Sequence, residues 1–96
     1  MGDTIRSNGG ESGDAATLAL LALGWLLSDA DRASRLLALT GMTADGLRKG
    51  ADNPRMLAEI IRYLEGCERD LVAAAESVGT TPASLVNARI ELERQS

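Results

Sequence analysis

Apolar positions concentrate in residues 15–27, which read AATLALLALGWLL and contain the chain's only tryptophan, Trp25. Helical spacing places the apolar side chains of this segment on two adjoining faces, with Leu18, Leu21, Ala22 and Trp25 on the first and Leu20, Leu23 and Leu27 on the second. A helix at a protein surface normally keeps one side polar. The pattern therefore predicts a helix covered around most of its circumference, by the rest of the domain, by a second copy of the chain or by a partner.

Five further helices are predicted after this segment, because short stretches with apolar residues at helical spacing alternate with glycine, threonine and proline signals. Their predicted ranges are 32–40, 44–49, 54–65, 68–78 and 82–93. Gly41 and Gly79 stand where a helix end accepts a residue in the left-handed conformation. Thr43 and Thr81 follow these glycines as N-caps of the next helix. Both corners are typical of two helices joined by a tight turn.

The clearest helix start is Asn53-Pro54, because asparagine is a strong N-cap and proline is favoured at the first helical position. The buried stripe of this fourth helix follows at the spacing i, i+3, i+4 and i+7, namely Leu57, Ile60, Ile61 and Leu64. Two ion pairs are expected on its outer side, Arg55 with Glu59 and Glu65 with Arg69. Gly66 fits either a kink within a longer helix or a helix end, and we favour a break at Gly66 and Cys67.

Composition indicates the fold class. Only 2% of the 96 residues are aromatic while 45% are hydrophobic, so the core consists of leucine, alanine, isoleucine, valine and methionine. The β-branched and aromatic enrichment typical of strands is missing. We therefore predict an all-α protein, a compact orthogonal bundle of five to six short helices around a central apolar N-terminal helix. Residues 1–13 are polar and rich in glycine and are predicted to form a disordered tail, which leaves residues 14–96 as a single helical domain.

The residue types that carry most catalytic chemistry are scarce in this chain. It has no histidine, which removes the usual general base and the commonest zinc ligand, and its one cysteine, Cys67, has no histidine to activate it. Four carboxylates fall at or near predicted helix ends, where capping accounts for them: Asp29, Asp31, Asp45 and Asp52. We therefore expect a protein that is not an enzyme and that binds no cofactor and no metal.

The apolar run also bears on location. It is about 13 residues long, short of the roughly 20 that a membrane-spanning helix needs. A single cysteine fits a reducing compartment. We therefore expect a cytoplasmic protein that does not use the membrane as a partner.

The apolar first helix is the leading candidate for an interaction surface. The residues predicted to contact a protein partner or a second copy of the chain are Leu20, Leu23, Trp25 and Leu27. Contiguous exposed apolar patches usually mark such sites. Gly24 lies among these residues, where it destabilises the helix by about 1 kcal/mol relative to alanine and allows another helix to approach closely. This interpretation predicts a non-enzymatic adaptor or regulatory module, whereas the other interpretation makes the same side chains the core of a self-contained bundle.

A DNA-binding helix-turn-helix is the alternative function. Residues 71–92 contain a glycine corner between two predicted helices, and Asn87 and Arg89 fall on the second of them, where a recognition helix would contact DNA. Binding to nucleic acid relies on positive charge, whereas this chain has a formal net charge of -4. Glu91 and Glu93 also offset Arg89 on the same helix. Nucleic acid is therefore a disfavoured partner.

Three stretches of the sequence carry a resemblance to a family: LLALTGMTADGLR, NPRMLAEIIRYL and CERDLVAAAESVGTTPASLVNAR. Together with the apolar helix, they resemble a small all-helical bacterial family of unknown function that is found mainly in alphaproteobacteria. The resemblance covers residues 15–92 and rests on the glycine-threonine corners and on Glu68 after the fourth helix. It implies a cytoplasmic bacterial protein and brings no catalytic residue with it.

Overall fold

The computed structural model describes the backbone of residues 2–95 and the side chains of residues 15–95. Within that range the chain forms six helices and no strand: α1 (Gly2–Leu27), α2 (Ala30–Thr40), α3 (Ala44–Lys49), α4 (Pro54–Glu65), α5 (Glu68–Ser77) and α6 (Pro82–Gln95). The predicted all-α class is therefore confirmed. The tail predicted over residues 1–13 lies outside the residues that are described with their side chains, so its disorder stays a prediction.

Capping side chains mark the starts of α2, α3, α4 and α6, and left-handed glycines follow the ends of α2 and α5. Four side chains accept a hydrogen bond from a backbone N–H in the first turn of the helix that follows: Asp29, Thr43, Asn53 and Thr81. Gly41 and Gly79 adopt φ values of 76° and 78°, in the left-handed region that favours glycine. The corners after α2 and α5 therefore form as predicted.

The predicted break between α4 and α5 is also confirmed. Unlike the two corners above, it contains no glycine in the left-handed conformation. Gly66 keeps a right-handed helical conformation with φ of -73°. The chain changes direction at Cys67, whose backbone is extended with φ of -138° and ψ of 98°. The Cys67 side chain makes no capping hydrogen bond, so the start of α5 relies on packing and on the acidic Glu68 in its first turn.

The core centres on α4. Its four predicted anchors are each at most 1% exposed: Leu57, Ile60, Ile61 and Leu64. α6 packs along both α4 and α1, and it buries Leu85 and Leu92 completely. The radius of gyration is 13.2 Å, close to the roughly 12.5 Å expected of a folded chain of this length.

The side of α1 that faces the core combines residues from both of the apolar faces named above. Its buried residues are Ala15, Ala19, Ala22, Leu23 and Leu26. Three of these are alanines spaced i, i+4 and i+7, and their small side chains allow the backbone of α1 to lie close to the helices behind it. Leu21, which helical spacing groups with Ala22 and Trp25, is exposed. The described part of the chain thus buries one side of α1 only, and cover of the other side by a second copy of the chain or by a partner stays a prediction.

Candidate interaction surface

The outer side of α1 presents a continuous apolar surface. We call this surface the α1 face and define it as Thr17, Leu20, Leu21, Gly24 and Leu27, which are all exposed and follow helical spacing. The leucines are 42%, 48% and 44% exposed, respectively. Residues 15–28 contain no charged side chain. No helix in the described part of the chain has both the length and the hydropathy to cross a membrane.

Gly24 lies in the middle of the α1 face and has no packing role within the chain. A Cβ atom built on it meets no atom within 4 Å. The close approach of another helix that we predicted at Gly24 is therefore not made by any described part of this chain. The glycine destabilises the helix by about 1 kcal/mol relative to alanine, and nothing in the described fold accounts for that.

A groove adjoins the α1 face where α1 meets α2 and α3. It has a volume of about 290 Å³ and we call it the α1–α3 groove, lined by Leu23, Leu27, Leu37, Ala44, Leu47, Arg48 and Ala51. Leu27 belongs to both the groove and the α1 face, so the two form one continuous surface. All the lining residues except Arg48 are apolar.

Arg48 is the one charged residue of the α1–α3 groove. Among the described side chains it has no ion-pair partner. The neighbouring Lys49, which does not line the groove, has its ammonium group 3.2 Å from the carboxylate of Asp45. The positive charge at the groove is therefore that of Arg48 alone.

The four predicted interaction residues lie in different environments. Leu20 and Leu27 are exposed on the α1 face, whereas Leu23 is only 7% exposed and forms part of both the core and the groove wall. Trp25 is half-buried and packs against the core. The guanidinium of Arg32 lies 3.9 Å from the centroid of its ring and also donates hydrogen bonds to the Trp25 carbonyl oxygen. Trp25 therefore lies beside the α1 face and is covered by Arg32.

The residues of the alternative, nucleic-acid site are also in different environments. Asn87 is exposed and lines a shallow pocket between α1 and α6, next to Arg94. Arg89 is largely covered, and its guanidinium donates to both carboxylate oxygens of Glu65 on α4. It also donates to an Oε atom of Glu93 at 3.0 Å.

An ion-pair network thus joins α4 to α6. Arg62 donates to the second oxygen of Glu93 at 2.7 Å, so the network runs from Glu65 through Arg89 and Glu93 to Arg62. The hydrogen bond to Glu65 raises the pKa of Arg89 above its ordinary value. The hydrogen bond from Arg62, followed by the charges of Arg62 and Arg89, lowers the pKa of Glu93. The network holds Glu65 against Arg89, so the predicted pair with Arg69 does not form.

The sequence model of one protein family, described as "Protein of unknown function (DUF3572)", matches residues 12–95. The chain belongs to the DUF3572 family. This match includes the whole of α2 to α6 and the described side chains of α1, so both candidate sites lie within the DUF3572 region. Searches of curated proteins and of solved structures found no match.

Sequence reasoning missed three residues of these sites in the DUF3572 chain. Leu21 was grouped with Ala22 and Trp25 and left out of the predicted interaction residues, although the three alanines of α1 gave a signal for closer packing on another side. Arg48 reaches the groove only because α3 folds against α1 and α2, and no local pattern indicates that. Glu65 was missed as the partner of Arg89, because the two residues are 24 positions apart in the sequence and helical spacing rules do not reach that far.

Proposed function

We propose that this DUF3572 chain is a non-enzymatic helical protein-interaction module whose α1 face binds the apolar side of a helix of a partner protein. One observation carries the proposal: half-exposed leucines form a continuous, uncharged surface on the side of α1 opposite the core. Apolar patches of this kind usually mark interaction sites. Gly24 supports the proposal, because its open Cβ position leaves room for a close helix approach that the described chain does not use.

The apolar contribution of the α1 face is small compared with the free-energy cost of association. Burying the remaining exposed part of each leucine contributes about 1 kcal/mol, so the α1 face contributes about 3 kcal/mol. Two α1 faces packed together contribute about 6 kcal/mol, which is at the lower end of the roughly 4–15 kcal/mol lost as translational and rotational freedom. Stable binding therefore needs further contacts, and the α1–α3 groove adjoins the α1 face where such contacts can form.

The remaining parts of the proposal rest on the sequence. The absence of histidine, which leaves the Cys67 thiol without the residue type that usually activates it, supports a role that is not enzymatic and that uses no cofactor. The single cysteine supports a cytoplasmic location. The resemblance described above supports a bacterial and mainly alphaproteobacterial family.

A helix-turn-helix role remains the second candidate. The corner between α5 and α6 supports it, since Gly79 is left-handed and the Thr80 N–H donates to the Ala75 carbonyl oxygen at 2.8 Å. Asn87 is also exposed. Against it, both Arg89 hydrogen-bonding edges are bound to carboxylates, which leaves the guanidinium poorly placed to bind a phosphate.

The test is affinity capture of the tagged protein from its native lysate, with and without nuclease. Three baits are compared: the unaltered chain, Leu21→Asp on the α1 face, and Leu39→Asp on α2 as a matched exposed control. Leu39 is 70% exposed and lies outside both the α1 face and the groove. Circular dichroism establishes that each variant is folded.

The proposal expects one protein that survives nuclease, binds the unaltered chain and Leu39→Asp equally, and is lost with Leu21→Asp. Equal loss with both variants, recovery of no protein, or recovery only of nucleic acid would contradict it. In the last case, loss of the nucleic acid with Asn87→Ala would instead favour the helix-turn-helix.

A further inference from the structure

We infer that the α1–α3 groove recognises an acidic amphipathic helix, with an apolar side chain of that helix in the groove and a carboxylate of the same helix against Arg48. This inference rests on the proposed function and specifies the chemistry of the partner. Two observations carry it: the shape of the combined surface and the unpaired charge of Arg48, which lines the groove.

The shape of the surface fits a helix better than a small molecule. Leu20 and Leu27 are seven residues apart, which corresponds to two helical turns or about 10 Å along α1. The groove, with a volume of about 290 Å³, lies beside the C-terminal end of this track and shares Leu27 with it. Pockets for drug-sized ligands measure about 300–1,000 Å³, so the groove has room for one or two side chains. A helix laid along such a track presents anchors at i, i+3 or i+4, and i+7.

The charge at the groove favours an acidic helix over a basic one. Arg48 is exposed at the groove and has no ion-pair partner among the described side chains, whereas Lys49 is paired with Asp45. A carboxylate on the bound helix can therefore pair with Arg48, and a lysine at the same place is repelled. The chain as a whole carries a formal net charge of -4 and attracts basic partners at long range. Arg48 thus predicts tighter binding of an acidic helix, whereas the net charge predicts tighter binding of a basic one. A binding measurement distinguishes the two.

The probes are two synthetic fluorescein-labelled helical peptides of about 18 residues with an identical leucine face at i, i+3, i+4 and i+7. One peptide carries two glutamates at the edge of that face, and the other carries two lysines. Fluorescence anisotropy gives their dissociation constants for the unaltered full chain, Arg48→Glu and Lys49→Glu. The two variants change the net charge equally, but only position 48 lines the groove. Circular dichroism establishes that both variants are folded.

The unaltered chain should bind the acidic peptide about two- to fivefold more tightly than the basic one, the range typical of an exposed ion pair. Arg48→Glu should reverse the preference, and Lys49→Glu should keep it. A preference of the unaltered chain for the basic peptide, or equal effects of the two variants, would overturn the inference.

The remaining outcomes separate the inference from the proposed function. Equal binding of both peptides that is lost with Leu21→Asp would overturn the acidic preference and leave the interaction surface supported. Binding of neither peptide would overturn the inference, and the lysate experiment then decides the proposed function separately. Sedimentation of the chain alone tests a second copy as the occupant: a dimer that Arg48→Glu weakens would overturn the assignment to a partner helix.

Discussion

The contact between Arg89 and Glu65 offers a quantitative test of how α6 is fixed to α4. The perturbation is a double-mutant cycle of Arg89→Ala, Glu65→Ala and the variant with both changes. The two side chains are 18% and 24% exposed and share two hydrogen bonds. If the pair is structural, its removal destabilises the fold; if Arg89 served to bind DNA, its removal should affect DNA binding and leave stability nearly unchanged.

The magnitude follows from the burial of the pair. Exposed ion pairs contribute about 0.2–1 kcal/mol, whereas breaking a buried pair costs about 3–5 kcal/mol. The pair between Arg89 and Glu65 is partly covered and doubly hydrogen-bonded, so we expect a coupling energy of about 1–2 kcal/mol. Arg89→Ala alone should lower the free energy of unfolding by about 2 kcal/mol, and the Tm by about 8–16 °C for a domain of this size.

The assay is equilibrium urea unfolding followed by circular dichroism at pH 7. Arg94→Ala is the matched control, because Arg94 lies on the same helix, is 73% exposed and makes only a long contact of 3.4 Å with Glu91. That variant should change stability by less than about 0.5 kcal/mol. Additive effects of Arg89→Ala and Glu65→Ala within about 0.3 kcal/mol would show that the two side chains are not coupled and would contradict a structural role for the pair.

Two glycine substitutions and one carboxylate substitution provide further predictions. Gly24→Ala should raise the free energy of unfolding by about 0.5–1 kcal/mol in urea titrations, because the Cβ meets open space in an exposed helix. Gly79→Ala should lower it by about 1–2 kcal/mol, because its φ of 78° strains any L side chain; an effect of the same sign for both would contradict this. Glu93 has its pKa lowered from 4.5 in the folded state, so its contribution to stability is present at neutral pH and is lost as the pH falls through the folded pKa. The stability difference between the unaltered chain and Glu93→Gln should therefore shrink between pH 6 and pH 3, and a constant difference would exclude this role.

Local signals in the sequence predicted the boundaries of α2 to α6 to within two residues, whereas the start of α1 at Gly2 was not predicted. Asn53 and Thr81 act as caps because the hydrogen bond they accept is to a backbone N–H only two or three residues away. Gly41 and Gly79 end helices because their left-handed conformation is a property of single residues. The stripe of α4 was equally predictable, since one helix face determines it.

The packing of the helices against one another was less predictable, because it depends on contacts between residues that are far apart in the sequence. The side of α1 that faces the core could not be predicted from hydrophobicity, because both of its sides are apolar. The deciding property is the small size of Ala15, Ala19 and Ala22, which allows closer packing than the leucines do. Arg48 reaches the groove, and Glu65 reaches Arg89, only through the tertiary fold.

The most direct test of the central claim is site-specific photo-cross-linking in living cells of the native host. A photoreactive phenylalanine analogue replaces Leu21 on the α1 face in one variant and Leu39 on α2 in the other. We predict a discrete protein adduct from position 21, which disappears when Leu20→Asp is added, and no such adduct from position 39. Absence of an adduct at position 21, or the same adducts from both positions, would contradict the claim that the α1 face is the interaction surface of this protein.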